Sequence, residues 1–177
     1  MDIEQLRYPI GKFKPSPQFD AQMRSEMIAY LKSYPQRLTG VVMELTDHQL
    51  DTPYRPGGWT VRQLIHHIAD SHLNSYVRFR WALTEDTPVI KAYDEKEWAE
   101  LPDAQSAPIK YSLNLLKAVH GRWSLLLERM SPDDFEKELS HPEWKYNLSL
   151  NDMVQLYHWH GSHHLAHITG LIAREEW

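Results

Sequence analysis

The stretch from Ser149 to Glu175 reads SLNDMVQLYHWHGSHHLAHITGLIARE, and it determines the fold class predicted for this chain. Ser149 and Asp152 have the spacing of a capping box, which predicts that a helix begins there. The residues that follow repeat at intervals of four and three, so they share one face of a helix that continues to about Glu175. This inward-facing seam consists of Met153, Tyr157, His160, His164, His167 and Leu171.

Three further segments have the apolar spacing of amphipathic helices. Pro35 is expected to end or kink the first of them, and a Thr60–Gln63 capping box opens the second. We therefore predict an all-α protein, an up-and-down four-helix bundle with long loop connections. The three segments run from Asp20 past Pro35, from Thr60 to about Leu83, and from about Pro108 to Met130.

The connections between these helices form no second domain, so residues 1–177 are interpreted as one domain. Residues 1–15 contain several Pro and Gly breakers and are expected to form an irregular leader. The connection from Thr84 to Pro108 is long for a compact domain, and we expect it to line a site or to cross the bundle. Residues His141 to Asn147 indicate a loop or a small hairpin.

The composition excludes several classes of protein. A formal net charge of −5 argues against nucleic acid as a partner, because neutralising phosphates needs a basic surface. No stretch approaches the ~20 consecutive apolar residues that a membrane span needs, so no membrane partner is expected. The absence of cysteine excludes disulfides, iron–sulfur clusters and thiolate zinc sites. No secretory signal is visible at the start, so we expect a cytoplasmic location.

Histidines are concentrated in the last helix, where five of the 11 lie between residues 158 and 167. His160 and His164 are one helical turn apart on the inward seam, so both rings can reach one transition-metal ion. His163 and His167 form a second pair with the same spacing, rotated by about 60° from the first. His158 points nearly the opposite way and is expected to be exposed.

The second helix supplies candidates for a third ligand in His66 and His67. A single histidine on a helix seam is usually a hydrogen-bonded core residue, which is our interpretation of His72 and His120. We assign His163 and His167 to packing or to support of the ligands. His67 is favoured as the ligand because it lies beside a polar row that suits a water-filled pocket: Thr60, Gln63, Asp70, Ser71 and Asn74.

Two stretches carry a resemblance to a known family: GWTVRQLIHHIADSH at residues 58–72 and YHWHGSHHLAH at residues 157–167. The chain resembles the DinB-like four-helix bundles, most closely the YfiT type of metal-dependent hydrolase, which is also described as bacillithiol S-transferase. The resemblance implies one metal ligand on the second helix and two on the fourth. Matched to the family pattern, these ligands are His67, His160 and His164. Relatives of this type are described as dimers, which implies a homodimer.

Three neutral imidazoles would leave a zinc ion, or alternatively a nickel ion, with open coordination positions. Such an ion can activate either water or a low-molecular-weight thiol for attack on a small-molecule substrate, and the ligand set does not choose between them. Gly161 follows the first ligand where the HExxH protease helix has its glutamate, which disfavours that type of proteolysis. The candidate proton acceptors are Asp70, Tyr157 or a histidine that does not bind the metal.

Three functional hypotheses follow from these residues. The first is an enzyme, either a hydrolase of small substrates or a thiol S-transferase. The second is a non-catalytic metal-binding bundle of stress or damage response, in which the ion stabilises the fold. The third is a metal-free helical interaction domain whose histidines are structural.

Overall fold

The computed structural model describes residues 2–177, and most of these residues lie in helices. Within these residues no helix combines the length and the apolar character that crossing a bilayer requires. The predicted all-α four-helix bundle is confirmed. Its long helices are α2 (Ala21–Val42), α4 (Val61–Thr84), α7 (Lys110–Leu127) and α9 (Leu150–Glu175). The shorter elements are α1 (Ile3–Arg7), α3 (Asp47–Leu50), α5 (Glu95–Ala99), α6 (Pro102–Ser106), α8 (Pro132–Phe135), β1 (Glu138–Ser140) and β2 (Asn147–Ser149).

The two helices that carry the candidate ligands begin at their capping boxes. The Thr60 side chain accepts a hydrogen bond from the backbone of Gln63, whose side chain accepts one from the backbone of Thr60. Ser149 and Asp152 make the same reciprocal pair at the start of α9. Each box satisfies two backbone N–H groups that the helix itself leaves unpaired, so the helix start is fixed locally.

Pro35 does not end the first long helix, which continues through it to Val42. Proline removes one helical hydrogen bond and crowds the preceding turn, so an interruption was expected there. Pro35 is buried, and Tyr34 and Leu38 in the same part of the helix are fully buried. Burial of this part of α2 in the core therefore outweighs the local cost of the proline.

Helices α4 and α7 run in the same direction. His66 of α4 bonds to Ser112 of α7, and His72, further along α4, bonds to His120, further along α7. Parallel neighbours cannot be joined by a short turn, so the connection from residue 85 to residue 109 crosses the length of the bundle. Its length had indicated such a crossing, and it contains α5 and α6.

Helices α2 and α9 form the second parallel pair. Arg24 of α2 bonds to Asn151 near the start of α9, and Tyr30, further along, packs on His158. Helix α2 packs against α7, and α9 packs against α4, in each case as an antiparallel neighbour. The up-and-down alternation therefore holds from α2 to α4 and from α7 to α9, and it is interrupted once between α4 and α7.

The core consists of two hydrophobic clusters with a polar band between them. Along α4 one cluster extends to Ile68 and the other begins at Tyr76. Along α9 one cluster extends to Tyr157 and the other begins at Ile168. The band between these limits is occupied by buried or half-buried imidazoles, among them His72, His160, His163, His164 and His167.

The N-terminal leader is more ordered than expected. It contains α1, whose first turn is capped by the Asp2 side chain. A helix of five residues is too short to show a hydrophobic period, which explains why the sequence pattern indicated irregular structure. The leader also packs on α9, where the indole N–H of Trp159 donates to the carbonyl of Gly11 at 3.2 Å. The small hairpin considered for residues 141–147 is present, with β1 and β2 paired antiparallel on either side of that loop.

Candidate metal centre

His67 of α4 and His160 and His164 of α9 converge in the polar band. Each offers one ring nitrogen, and these three atoms lie within 4.8 Å of one another. The Nε2 atoms of His67 and His160 are 3.3 Å apart. Nitrogen ligands of a tetrahedral zinc ion, at bond lengths of about 2.0–2.1 Å, lie about 3.3 Å from one another. The observed spacing is therefore compatible with ligands of a single ion.

Burial keeps the three imidazoles neutral. Loss of hydration lowers the pKa of His67 to about 4. The pKa values of His160 and His164 are lowered well below the ordinary histidine value, first by burial and then by the neighbouring imidazoles. Metal binding requires the neutral form of the ring, so all three have lone pairs available at neutral pH.

His66 and His158 are not part of this cluster. The Nδ1 atom of His66 lies 2.7 Å from the hydroxyl of Ser112, and its Nε2 atom lies 3.1 Å from the carbonyl of Ala107. His158 packs edge-on against Tyr30 and is half-buried rather than exposed. The structure thus places His67, and not His66, beside the two histidines of α9.

The cluster faces a cavity of about 580 Å³ between the leader, α4, α5 and α9. Its aromatic wall includes Trp59, whose ring centre is 4.8 Å from that of His67. Sequence reasoning missed the charged side chains of this cavity, because they come from the leader, a loop and the crossover connection. These residues are Arg7, Arg55, Glu95, Lys96, Glu97 and Glu100.

A second cavity of about 620 Å³ also borders His160 and is lined by Ser71, Arg78, Tyr93 and Tyr157 among others. Tyr157, a predicted proton acceptor, is buried there and accepts a hydrogen bond from the Ser71 hydroxyl at 3.4 Å. Burial raises the pKa of the neighbouring Tyr93. Tyr93 lies on the crossover connection, whose irregular sequence gave no signal for its position.

Comparison with known proteins identifies the family. The sequence model of the DinB superfamily matches residues 30–168, which is more than half of the chain. The chain belongs to the DinB superfamily. It is 48% identical over 172 residues to the Bacillus subtilis protein named "Putative metal-dependent hydrolase YfiT", with 97% of each chain covered. A relative with the same designation in Oceanobacillus iheyensis is 50% identical over 175 residues, covering 97% of this chain and 98% of that one.

The DinB fold is also found in a solved structure. YfiT from Bacillus subtilis, described as "a probable metal-dependent hydrolase with an unusual four-helix bundle topology", has a TM-score of 0.95 against this chain. The two are 47% identical, and the match covers 98% of this chain and 99% of that one. The resemblance inferred from residues 58–72 and 157–167 is therefore confirmed.

Asp70, the other predicted proton acceptor, lies on a different face of this DinB bundle. It is one turn beyond His66 on α4 and half-buried, and it lines neither cavity beside the three histidines. Burial, together with the nearby Asp103 of α6, raises its pKa to about 6. The structure does not bring Asp70 to the candidate metal centre.

A second group of three buried imidazoles adjoins the first and shares His164 with it. His163, His164 and His167 each offer a ring nitrogen within 4.8 Å of the others. The ring of His163 stacks on Trp159 at 4.4 Å between centres. The Nε2 atom of His167 lies 3.2 Å from the carbonyl of Arg7, while its Nδ1 atom lies 3.3 Å from Nδ1 of His164.

Proposed function

We propose that this DinB superfamily protein is a metal-dependent enzyme acting on a small electrophilic substrate. His67, His160 and His164 would hold one divalent transition metal, zinc or alternatively nickel. When bound, the ion would act as a Lewis acid and lower the pKa of a water molecule or a thiol. The observation that carries the proposal is the convergence of three neutral imidazoles beside a cavity.

The donor set favours a catalytic site over a purely structural one. Structural zinc sites in proteins are almost always closed by four protein ligands, whereas catalytic sites use three and leave a position for substrate. Among residues 2–177 the group around His67 comprises three histidines and no acidic or further ligand. Three nitrogen donors also suit zinc or nickel better than a hard cation such as magnesium.

The residues around the histidines have separate tasks in this proposal. The ring of Trp59 against His67 excludes water from one side of the cluster. The hydroxyl of Tyr157, held by Ser71, is the group that would exchange a proton with a substrate entering the second cavity. No comparable role is proposed for Asp70.

The arrangement of cavities favours thiol transfer as the second candidate reaction. Hydrolysis requires space for one substrate and water, whereas transfer requires a thiol and an electrophile at the same time. Two cavities, of about 580 and 620 Å³, both border His160, and they also share Glu95 and Lys96 in their walls. The relatives named as hydrolases support the first reaction, and this geometry supports a low-molecular-weight thiol as co-substrate.

One assay separates these reactions. Metal-stripped protein is reloaded with zinc or nickel and mixed with activated esters alone, or with a chlorodinitroarene and a series of small thiols. A metal-dependent rate that also requires the thiol identifies a transferase, and one without thiol identifies a hydrolase. His160→Ala should abolish either rate, while His158→Ala, on the opposite face of α9, should retain it. No rate above background in any combination would contradict the enzyme proposal and favour a non-catalytic metal-binding bundle.

We also propose that the protein is a homodimer. Four tryptophans are between 36% and 39% exposed, more than a bundle core requires: Trp81, Trp98, Trp144 and Trp177. Light scattering at micromolar concentration should give twice the chain mass of 20.9 kDa. The mass of a single chain would contradict this proposal.

A further inference from the structure

Three imidazoles, those of the buried His72 and His120 and of the half-buried His160, form a continuous hydrogen-bonded row that ends on a backbone carbonyl. Nδ1 of His160 lies 3.2 Å from Nε2 of His72. Nδ1 of His72 lies 2.7 Å from Nε2 of His120, and Nδ1 of His120 lies 2.6 Å from the carbonyl oxygen of Leu31. His72 and His120 are only 0% and 1% exposed. Neither is a ligand in the proposed function, so their alignment requires another explanation.

The carbonyl of Leu31 sets the direction of every hydrogen bond in this row. A carbonyl oxygen only accepts, so Nδ1 of His120 carries the hydrogen. A neutral imidazole has one N–H, so Nε2 of His120 accepts from Nδ1 of His72. By the same step, Nε2 of His72 accepts from Nδ1 of His160. Nε2 of His160 is consequently left without a hydrogen, and this is the atom 3.3 Å from Nε2 of His67.

The rings in this row are neutral because their partners offer no compensating charge. The hydrogen bonds of His72 and His120 go to imidazoles or to the Leu31 carbonyl. The partners of His160 are imidazoles and the hydroxyl of Ser71, which lies 3.4 Å from its Nε2. A buried imidazolium without a carboxylate partner would be strongly disfavoured. The one-hydrogen rule therefore applies to each ring.

A second, shorter row fixes His164 in the same way. Nε2 of His167 lies 3.2 Å from the carbonyl oxygen of Arg7, so that nitrogen carries the hydrogen. Nδ1 of His167 then accepts from Nδ1 of His164, 3.3 Å away. Nε2 of His164 is left without a hydrogen. The lone pair of His167 Nδ1 accepts the hydrogen bond from His164, so it is not available to a metal ion. The group of His163, His164 and His167 is thus better explained as a support for His164 than as a second metal site.

We infer that His72, His120 and His167 are positioning residues that fix the tautomers of both α9 ligands through the backbone carbonyls of Leu31 and Arg7. The two rows hold His160 and His164 with Nδ1 protonated and Nε2 bare before any ion binds. The role assigned to these residues rests on the proposed metal site, but the tautomers themselves are properties of the metal-free protein. The partner on the other ring nitrogen determines which nitrogen a histidine offers to a metal.

The first test reads the tautomers directly. Nitrogen-15 NMR of the ring nitrogens in the metal-free protein at pH 7.5 should show protonated Nδ1 and bare Nε2 for His160, His164, His72 and His120. His167 should show the reverse pattern. Protonated Nε2 on His160 or His164 would overturn the inference, whether or not the protein binds a metal. If the predicted tautomers are found but the protein binds no zinc, the proposed function is contradicted and the assignment of the hydrogen bonds is still correct.

The second test uses a conservative rescue at His167. The amide of glutamine can accept a hydrogen bond from His164 and donate one to the Arg7 carbonyl, whereas leucine can do neither. Supporting partners of metal ligands typically contribute about 10- to 100-fold in metal affinity. His167→Leu should weaken zinc binding by about that factor in a competition with a chelator, and His167→Gln should remain close to wild type. Equal affinity of the two variants, whether reduced or unchanged, would show that the hydrogen bonds of His167 do not matter.

The longer row is tested by His120→Phe, with His66→Phe as its control. His66 is also buried and hydrogen-bonded to α7, but it has no link to His160. His120→Phe should leave His160 in a mixture of tautomers and reduce zinc affinity, while His66→Phe should change neither. If His120→Phe does not fold, the NMR spectrum of the unmodified protein and the His167 pair decide the question.

Discussion

Gly161 lies directly against the aromatic ring of Tyr34. A Cβ atom at position 161 would stand 3.0 Å from Cε2 of Tyr34 and 3.2 Å from two further ring atoms. The Tyr34 ring is fully buried and stacks on His72, with 5.3 Å between ring centres. The position after the first α9 ligand therefore faces packed aromatic rings, and it has no room for the glutamate that an HExxH protease would need.

Gly161→Ala should destabilise the protein by about 1 kcal/mol. Alanine normally favours a helix over glycine by ~1 kcal/mol, but overpacking a buried site costs about 1–3 kcal/mol. The control is Gly121→Ala in α7, where a Cβ meets nothing within 4 Å and a gain in stability is expected. Urea denaturation of the metal-free variants measures both changes. If Gly161→Ala is stabilised as much as Gly121→Ala, the contact with Tyr34 is not a constraint.

Ser149→Ala should remove the cap of α9 and cost about 1 kcal/mol of folding free energy. The side chain of Ser149 accepts from the backbone of Asp152, and the helix it starts carries two of the three proposed ligands. Ser162→Ala, in the interior of the same helix, is the matched control and should cost nothing or slightly stabilise the protein, because alanine suits a helix interior better than serine. Equal losses from the two substitutions would argue against a special role for the cap.

The features that could be predicted from the sequence are those that depend on residues close to one another along the chain. The capping boxes at Thr60 and Ser149 determine helix starts through contacts three residues apart, and the structure has both. The choice of His67 over His66 was favoured by its polar neighbours and selected by the family pattern. The structure places His67 on the side of α4 that faces α9.

The features that could not be predicted from the sequence depend on contacts between distant segments. The parallel direction of α4 and α7 depends on the path of the crossover connection. The sequence of that connection indicates its length but not its path. Arg7 and Glu95 reach the cavity from the leader and from α5, neither of which has a usable hydrophobic period. His72 and His120 were correctly interpreted as hydrogen-bonded core residues. Their alignment with His160 requires α4, α7 and α9 to be placed relative to one another.

Removal of any one proposed ligand should reduce metal retention. His67→Ala, His160→Ala and His164→Ala each delete one of three donors, so each should lose zinc or nickel on gel filtration against a mild chelator. His66→Ala and His158→Ala should keep it, because both rings lie outside the cluster. Metal content by mass spectrometry is the measurement. Loss of metal in His66→Ala with retention in His67→Ala would contradict the assignment on α4.

Metal should also stabilise the wild-type fold and leave these three variants unaffected. An ion that binds the folded state alone adds stability by mass action, so the melting temperature should rise with zinc concentration. Differential scanning calorimetry with and without zinc provides the comparison. A metal-free sample that melts no earlier than the loaded one would argue against a buried site.

The stability of the metal-free protein should fall as the pH is lowered from about 6.5 to about 4. Burial lowers the pKa of His120 from 6.5 to about 4, and its hydrogen bond to the Leu31 carbonyl opposes this shift only in part. In that window the unfolded chain binds a proton that the folded protein excludes, so acid favours unfolding. The stability linked to His120 is fully present above pH 6.5, and the loss at pH 4 is about 3 kcal/mol.

The substitution His120→Phe isolates this contribution. Phenylalanine cannot take up the proton in either state, so the unfolding free energy of this variant should depend less steeply on pH between 7.5 and 5, whatever its value at pH 7.5. The other buried histidines keep their own share of the slope in both proteins. Urea denaturation at three pH values in this range, with metal removed, gives the two slopes. Parallel slopes would mean that His120 is protonated as easily in the folded protein as in the unfolded chain, which is incompatible with a neutral ring held between His72 and Leu31.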